Sequence, residues 1–159
     1  MVQHADIDHT GLPGVGGGGS TAGVPILRHV YQRSSGDYTT TSATLVVIDG
    51  TANTMSYDAT VAANSRIKVE FMGSFTHSAT TVISLNIGLD AAMQLGTSGM
   101  GLQIATSDMR NGSFVWISPQ LAADTYTVAM YWHRGASGTA TLRGDAARFA
   151  MFAVYEIPA

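Results

Sequence analysis

The segment RIKVEFMG, residues 66–73, alternates with a period of two: Ile67, Val69 and Phe71 fall on one side, Arg66, Lys68 and Glu70 on the other. That spacing is the signature of a strand with one buried and one solvated face. The same period returns in VISLNIGLD, residues 82–90. Ile83, Leu85, Ile87 and Leu89 are expected to point inward there, and Ser84, Asn86 and Gly88 outward. In FVWIS (114–118) Phe114 and Trp116 share a face, and in TYTVAMYWHR (125–134) Tyr126, Val128, Met130 and Trp132 point inward while Tyr131 points out. The last run, RFAMFAVYEIP (148–158), is apolar on both faces, with Phe149, Met151, Ala153 and Tyr155 on one and Phe152 and Val154 on the other. A strand of that kind is central in its sheet or lies at a subunit contact.

Shorter runs at ATLVVID, TMSYDAT, GLQIATS and TATLRG are separated by DGTAN, LGTSGMG, RNGS and RGASG, which are turn compositions. The count comes to about eight to ten strands, with AADTY and DAAMQLG the only stretches able to hold a helical turn, so the chain reads as an all-β sandwich or barrel. No repeat of roughly 20 to 50 residues is visible, which argues against a propeller or solenoid.

Upstream of these strands the chain opens MVQHADIDHTGLPGVGGGGST, a leader with no hydrophobic face and four consecutive glycines. It is expected to be a flexible arm. Apolar and aromatic residues begin at Pro25 in PILRHVYQ, which divides the chain into an extended Gly-rich arm, residues 1–26, and a folded domain, residues 27–159.

Composition narrows the function classes. The 159 residues suit one domain. A hydrophobic fraction of 45% beside a charged fraction of 12% describes a globular protein with few surface charges to keep copies apart, a hint of assembly. A net charge of -3, with Lys68 as the sole lysine, argues against a nucleic-acid partner. Cysteine is absent, so disulfides, thiolate metal sites and a Cys nucleophile are excluded. No apolar run approaches the roughly 18 residues of a membrane span, and no basic-then-apolar leader is present, so a soluble protein without membrane insertion or signal peptide is expected.

The candidate chemistry is sparse. His4, Asp6, Asp8 and His9 are metal-capable donors, but nothing in the arm fixes their geometry, and they are read as solvated or partner-contacting residues. His29, His77 and His133 are scattered and read as strand-end or edge histidines, and Asp58, Glu70, Asp90, Asp108, Asp124, Asp145 and Glu156 fall mostly in turns or at outward positions. GVGGGGS lacks the Gly-Lys-Ser/Thr ending of a phosphate loop, and no G-x-S-x-G elbow surrounds a serine. Neither an enzyme nor a cofactor is expected. Among the aromatics Trp116, Trp132, Tyr131 and Tyr155, outward-facing Tyr131 is the one placed to stack on a sugar ring.

Three segments taken in order, SRIKVEFMGSF, VISLNIGLDAA and SFVWISPQLAADTYTVAMYWHRGASGTATLRGDAARFAMFAVYEIP, resemble the jelly-roll domains of tailed-phage virion proteins. Their topology is also similar to the tumour-necrosis-factor and C1q heads. The likeness is carried by a strand with a basic start, by Leu121, Tyr126, Thr127 and Val128 leading into an aromatic strand, and by the terminal Arg-Phe…Val-Tyr-Glu strand; it covers about residues 38–158. HADIDHTGLPGVGGGG is similar to the His/Asp- and Gly-rich lead-ins of tailed-phage structural proteins.

The resemblance implies a jelly-roll-like antiparallel sandwich in a homotrimer, a capsid decoration (minor capsid or cement) protein of the virion, assembled in the host cytoplasm. Its partner would be the major capsid protein, docked through the arm residues His4, Asp6, Ile7, Asp8, His9, Leu12, Pro13 and Val15. Trimer contacts would draw on Tyr131, Met151, Phe152 and Val154. The alternative is a tail-tip or fibre-knob domain that binds host-surface polysaccharide.

Overall fold

A computed structural model describes residues 22–105, 108–135, 137–145 and 147–159. The arm residues named above all lie outside this set. The described residues form twelve strands and no helix: β1 (Ile26–Arg33), β2 (Tyr38–Thr40), β3 (Val46–Val47), β4 (Ser56–Val61), β5 (Arg66–His77), β6 (Thr81–Leu89), β7 (Ala92–Met93), β8 (Met100–Ile104), β9 (Met109–Ile117), β10 (Asp124–His133), β11 (Ala140–Arg143) and β12 (Ala150–Ile157). The excess over the expected number comes from two- and three-residue ladders such as β2, β3 and β7, too short to leave a periodic signal.

Two antiparallel sheets face each other. In the first, β5 pairs with β9 along one edge and with β12 and then β11 along the other, while β1 and β2 pair with β12 and β11 respectively. In the second, β10 lies between β6 and the successive strands β3 and β4, and β7 and β8 close the far edge of β6. Counting β1/β2, β3/β4, β7/β8 and β11/β12 as single interrupted runs, the chain visits one sheet in the spatial order first, last, third, sixth and the other in the order second, seventh, fourth, fifth. This is the jelly-roll arrangement of two interleaved Greek keys.

The period-two reading of the long strands places the core. Ile67, Val69, Phe71 and Phe75 of β5 meet Ile83, Leu85 and Ile87 of β6 and Val128, Met130 and Trp132 of β10 in one buried cluster that also takes in Phe152 and Val154. Burying each such side chain contributes roughly 1.5–3 kcal/mol. Gly73 continues the inward row of β5 where any side chain would collide: a Cβ there would lie 2.5 Å from Leu142 Cδ1.

Two expectations are corrected. Asn86 occupies an outward position of β6 yet is fully buried, because the 94–99 segment folds over it. Its Nδ2 donates to the Gly96 carbonyl at 2.7 Å, and its Oδ1 accepts from the Leu95 N–H at 3.0 Å. Neither proposed helical turn forms either. Asp124–Tyr126 opens β10, and in DAAMQLG the register Leu89↔Ala92 leaves a two-residue loop, with Asp90 at φ 49° and Ala91 at φ 64°. Both residues are left-handed, as a type I′ hairpin turn demands, and Asp90 anchors the turn by accepting from Thr127 N–H through Oδ1 at 2.8 Å.

Alanine carries a steric penalty in that conformation that glycine does not. Ala91→Gly is therefore expected to raise stability by about 1 kcal/mol, measured by urea denaturation; a loss of stability would contradict the turn geometry.

Candidate contact surfaces

The two sheets present unlike outer faces to solvent. Across the first sheet the strand register builds three rows of outward residues. Leu27, Tyr155, Lys68 and Ile117 form one, Val30, Ala153, Glu70 and Val115 the next, and Gln32, Met151, Met72 and Ser113 the third. Leu27, Val30, Met72, Val115 and Ile117 are all exposed, Val115 at 59% of its surface. Phe149, also exposed, overhangs a groove of about 280 Å³ floored by Met72, Gly73 and Gly112, and a second groove between Met72, Val115 and Met151 adjoins it.

The only charges in those three rows neutralise each other. Lys68 Nζ lies 2.6 Å from Glu70 Oε1 and 5.1 Å from the Tyr155 ring centroid, and the Tyr155 hydroxyl donates to Glu70 Oε2 at 3.1 Å. The bond from Lys68 is the largest influence on the Glu70 carboxyl and, helped by a weaker one from Tyr155, holds it below its ordinary range against the upward push of burial.

The second sheet turns Ser56, Asp58, Thr60, Thr125 and Thr127 outward, and its surface is correspondingly polar: Thr60 and Thr125 hydroxyls meet at 2.8 Å, and the Thr127 hydroxyl donates to Asp58 Oδ1 at 2.7 Å. Tyr131 stands on this face, its ring laid across Gly88 so closely that a Cβ there would sit 2.5 Å from Cε2. Beside it runs an open groove of about 360 Å³ bounded by Asn53, Asp58, Thr127 and Ala129.

These positions correct the expected trimer-contact set. Phe152 and Val154 have no exposed surface; β12 lies between β1 and β5, so its inner row belongs to the protomer's own core. Met151 and Tyr131 are partly exposed but on opposite sheets, so the four residues do not share a surface. Sequence reasoning passed over Val115 and Ile117. Their signal was present in FVWIS, where apolar residues occupy the outward positions as well as those of Phe114 and Trp116.

The edge formed by β1 carries a group of polar contacts at each end. Glu156, expected among outward or turn carboxylates, is buried at the end of β12. It accepts from Arg28 Nε at 3.1 Å, pairs with Arg28 Nη2, and accepts from the Ala62 N–H at 3.0 Å, tying β1, β12 and the turn after β4 together. Burial pushes its carboxyl up, but the Ala62 and Arg28 bonds outweigh that and hold it below the usual range.

At the other end of β1, Arg33 donates to the Tyr38 hydroxyl at 2.9 Å. Tyr38 in turn reaches Thr54 at 2.5 Å, and Thr54 donates to Asp49 Oδ2 at 2.6 Å. Burial is the main cause that pushes the Tyr38 phenol up to about 12. The chain of bonds satisfies these groups internally and pins the loop before β4 to β1.

Of the three histidines, His77 and His133 end β5 and β10, and each Nδ1 lies in hydrogen-bond range of a nearby N–H, from Ala79 at 2.9 Å and Gly135 at 3.0 Å. His29 turns inward from the edge strand. Its ring stacks on Tyr57 with centroids 4.6 Å apart and meets Phe152 edge-on at 6.0 Å, and its buried Nε2 has no hydrogen-bond partner. Among the described residues, no three His, Asp or Glu side chains are grouped closely enough to hold a metal ion.

No protein-family model and no curated protein matches the sequence. Remote structural neighbours include chains of one virus. A chain of infectious bursal disease virus, Gx strain, aligns over 82% of this chain at 13% identity and a TM-score of 0.41; one of the Gt strain aligns over 87% at 15% and 0.42. A chain of a viral particle of the same virus aligns over 82% at 14% identity and 0.43. This chain spans only 36–39% of the length of those chains. So distant a likeness assigns no role to any residue here.

His29 makes the edge acid-sensitive. Desolvation lowers its folded-state pKa below the ordinary 6.5. Above that value the imidazole is neutral in both states and its packing contribution is complete. As the pH falls through the unfolded value the unfolded chain takes up a proton that the folded protein resists, and stability drops until the folded pKa is passed. His29→Phe, which keeps a ring against Tyr57, is expected to lessen the fall in melting temperature between about pH 7 and pH 5. Equal falls in both proteins would refute the assignment.

Proposed function

We propose that the protein is a non-enzymatic structural component of a virion, a trimeric capsid decoration protein whose N-terminal arm docks on neighbouring major capsid subunits and stabilises the head. The observation that carries this reading is the division of labour between the two sheets of the jelly roll. One outer face is polar and suited to solvent; the other exposes Leu27, Val30, Met72, Val115 and Ile117 with no convergent catalytic groups among them. Such a body is built to be covered, and its low surface charge suits a crowded lattice. An arm that orders on its partner gives up conformational entropy on docking but spans a wide surface in return. His4, Asp6, Ile7, Asp8, His9, Leu12, Pro13 and Val15 supply that arm with alternating hydrogen-bonding and apolar contacts.

Residues 22–159 hold all twelve strands and the hydrogen bond from Gly23 N–H to the Pro158 carbonyl. The truncated protein is expected to fold with unchanged thermal stability and to lose affinity for shells of the cognate major capsid protein by at least about tenfold, read by co-sedimentation. Undiminished binding would sink the arm's role.

The Tyr131 groove favours a second reading, a tail-tip or fibre-knob domain for host-surface polysaccharide. An aromatic ring backed by glycine, beside Asn53, Asp58 and Thr127, combines an apolar platform with hydrogen-bonding groups of the kind sugars use. On that reading the isolated protein binds host polysaccharide in a glycan array, and Tyr131→Ala weakens the binding about tenfold.

A further inference from the structure

We infer that the outer face of the β1–β12–β5–β9 sheet is where a second copy of this chain docks, with Val115, Ile117, Val30 and Met72 as its main apolar contacts. The inference rests on the reading above that the protein assembles from several copies. It moves the self-contact from the scattered residues suggested by the sequence to one continuous surface.

Three observations select a copy of the same chain as the occupant. The first is charge. The three rows hold one cation and one anion, Lys68 and Glu70, bound to each other at 2.6 Å, so the patch is neutral and carries both signs. A strongly acidic or basic partner gains nothing from it, whereas a second copy brings the same neutral pair and meets no net repulsion.

The second is area. Along the length that β5 shares with β9 the sheet is four strands wide, β12 and β1 giving way to β11 and β2 beyond Met72; at a strand spacing of ~4.8 Å that is a face of roughly 20 Å by 30 Å, or ~600 Å² before side-chain relief is added, with the three apolar rows at one end of it. Two such faces remove about 1,200 Å² from water, the lower bound of specific stable interfaces.

The third is the distribution of polar groups around the patch. Arg28 stands at the β1 margin, and Asp108 and Arg110 pair at 3.6 Å beside the start of β9. Between these margins the apolar side chains of β1 and β9 flank the Lys68–Glu70 pair of β5, whose charges are already paired within each copy and need no partner from across a contact. Phe149 stands at the rim of the Met72 groove, and with Met151 it gives the face a ridge and a hollow for a neighbour to engage.

The test is the solution mass of the full-length protein by light scattering, for the native sequence, for Val115→Glu, and for Thr60→Glu on the polar sheet as a control. All three are checked for folding by their melting curves. Val115 is 59% exposed, so its replacement leaves the protomer core untouched. The native protein and Thr60→Glu are expected at a multiple of 16.6 kDa, and Val115→Glu at 16.6 kDa itself. Folded Val115→Glu that keeps the native multiple overturns the inference. So does a native protein that runs as a single copy, an outcome that would leave the face to the arm or to a different protein. Because no capsid is present in the measurement, failure here is separate from failure of capsid docking, which the arm-deleted protein reports.

Discussion

Both edges of β5 must be satisfied along twelve residues, and the first sheet is organised by how the chain does so. One edge is met by β9 in unbroken register from Lys68↔Ile117 to Thr76↔Met109. The other is met in two pieces, β12 and then β11, which are separate strands. That break is copied outward, since β1 pairs with β12 and β2 with β11. A backbone amide left unpaired in such a position would cost free energy comparable to a lost hydrogen bond. The interruption of the terminal strand therefore propagates to the sheet edge, and it leaves Phe149 standing beside the groove over Gly73 and Gly112.

The division between inner and outer rows follows from that pairing. Every strand of the first sheet has an inner row consumed by the core, and what remains outward is what a partner can meet. On β12 the inner row is Phe152 and Val154, and the outer row is Met151, Ala153 and Tyr155. On β9 the inner row is Phe114 and Trp116, and the outer row holds Val115 and Ile117. On the second sheet the outer rows of β4 and β10 carry Ser56, Asp58, Thr60, Thr125 and Thr127, with short side-chain hydrogen bonds between Thr60 and Thr125 and between Thr127 and Asp58. Hydroxyl-rich rows of this kind stay hydrated at little cost, whereas the valine, isoleucine and methionine of the other face gain by leaving water.

The edge strand β1 is held by means other than apolar burial alone. The Arg28–Glu156 pair lies at one end and the Arg33–Tyr38–Thr54–Asp49 chain at the other, with the His29–Tyr57 stack between them. Each group is satisfied from within the chain except His29 Nε2, so the polar chemistry of this edge serves to hold the sheets together. Its members were visible as residues in the sequence, but their partners are 128 positions away for Arg28 and 16 for Tyr38, and spacing along the chain carries no trace of such pairs.

Alternation in RIKVEFMG, VISLNIGLD and TYTVAMYWHR was enough to determine that the chain is all-β and which residues of those strands enter the core, because a pleated strand sends successive side chains to opposite faces whatever it pairs with. The same rule marked RFAMFAVYEIP as apolar on both sides. Which of those sides met the protomer's own core was decided only by the placement of β12 between β1 and β5. The burial of Asn86 was settled by a loop folding over it, and the gathering of Leu27, Val30, Met72, Val115 and Ile117 onto one face by strands that are neighbours in space and distant in sequence. Periodicity is a local property and can be read from the chain. Which strand lies beside which depends on long-range pairing, and the character of a surface depends on that arrangement.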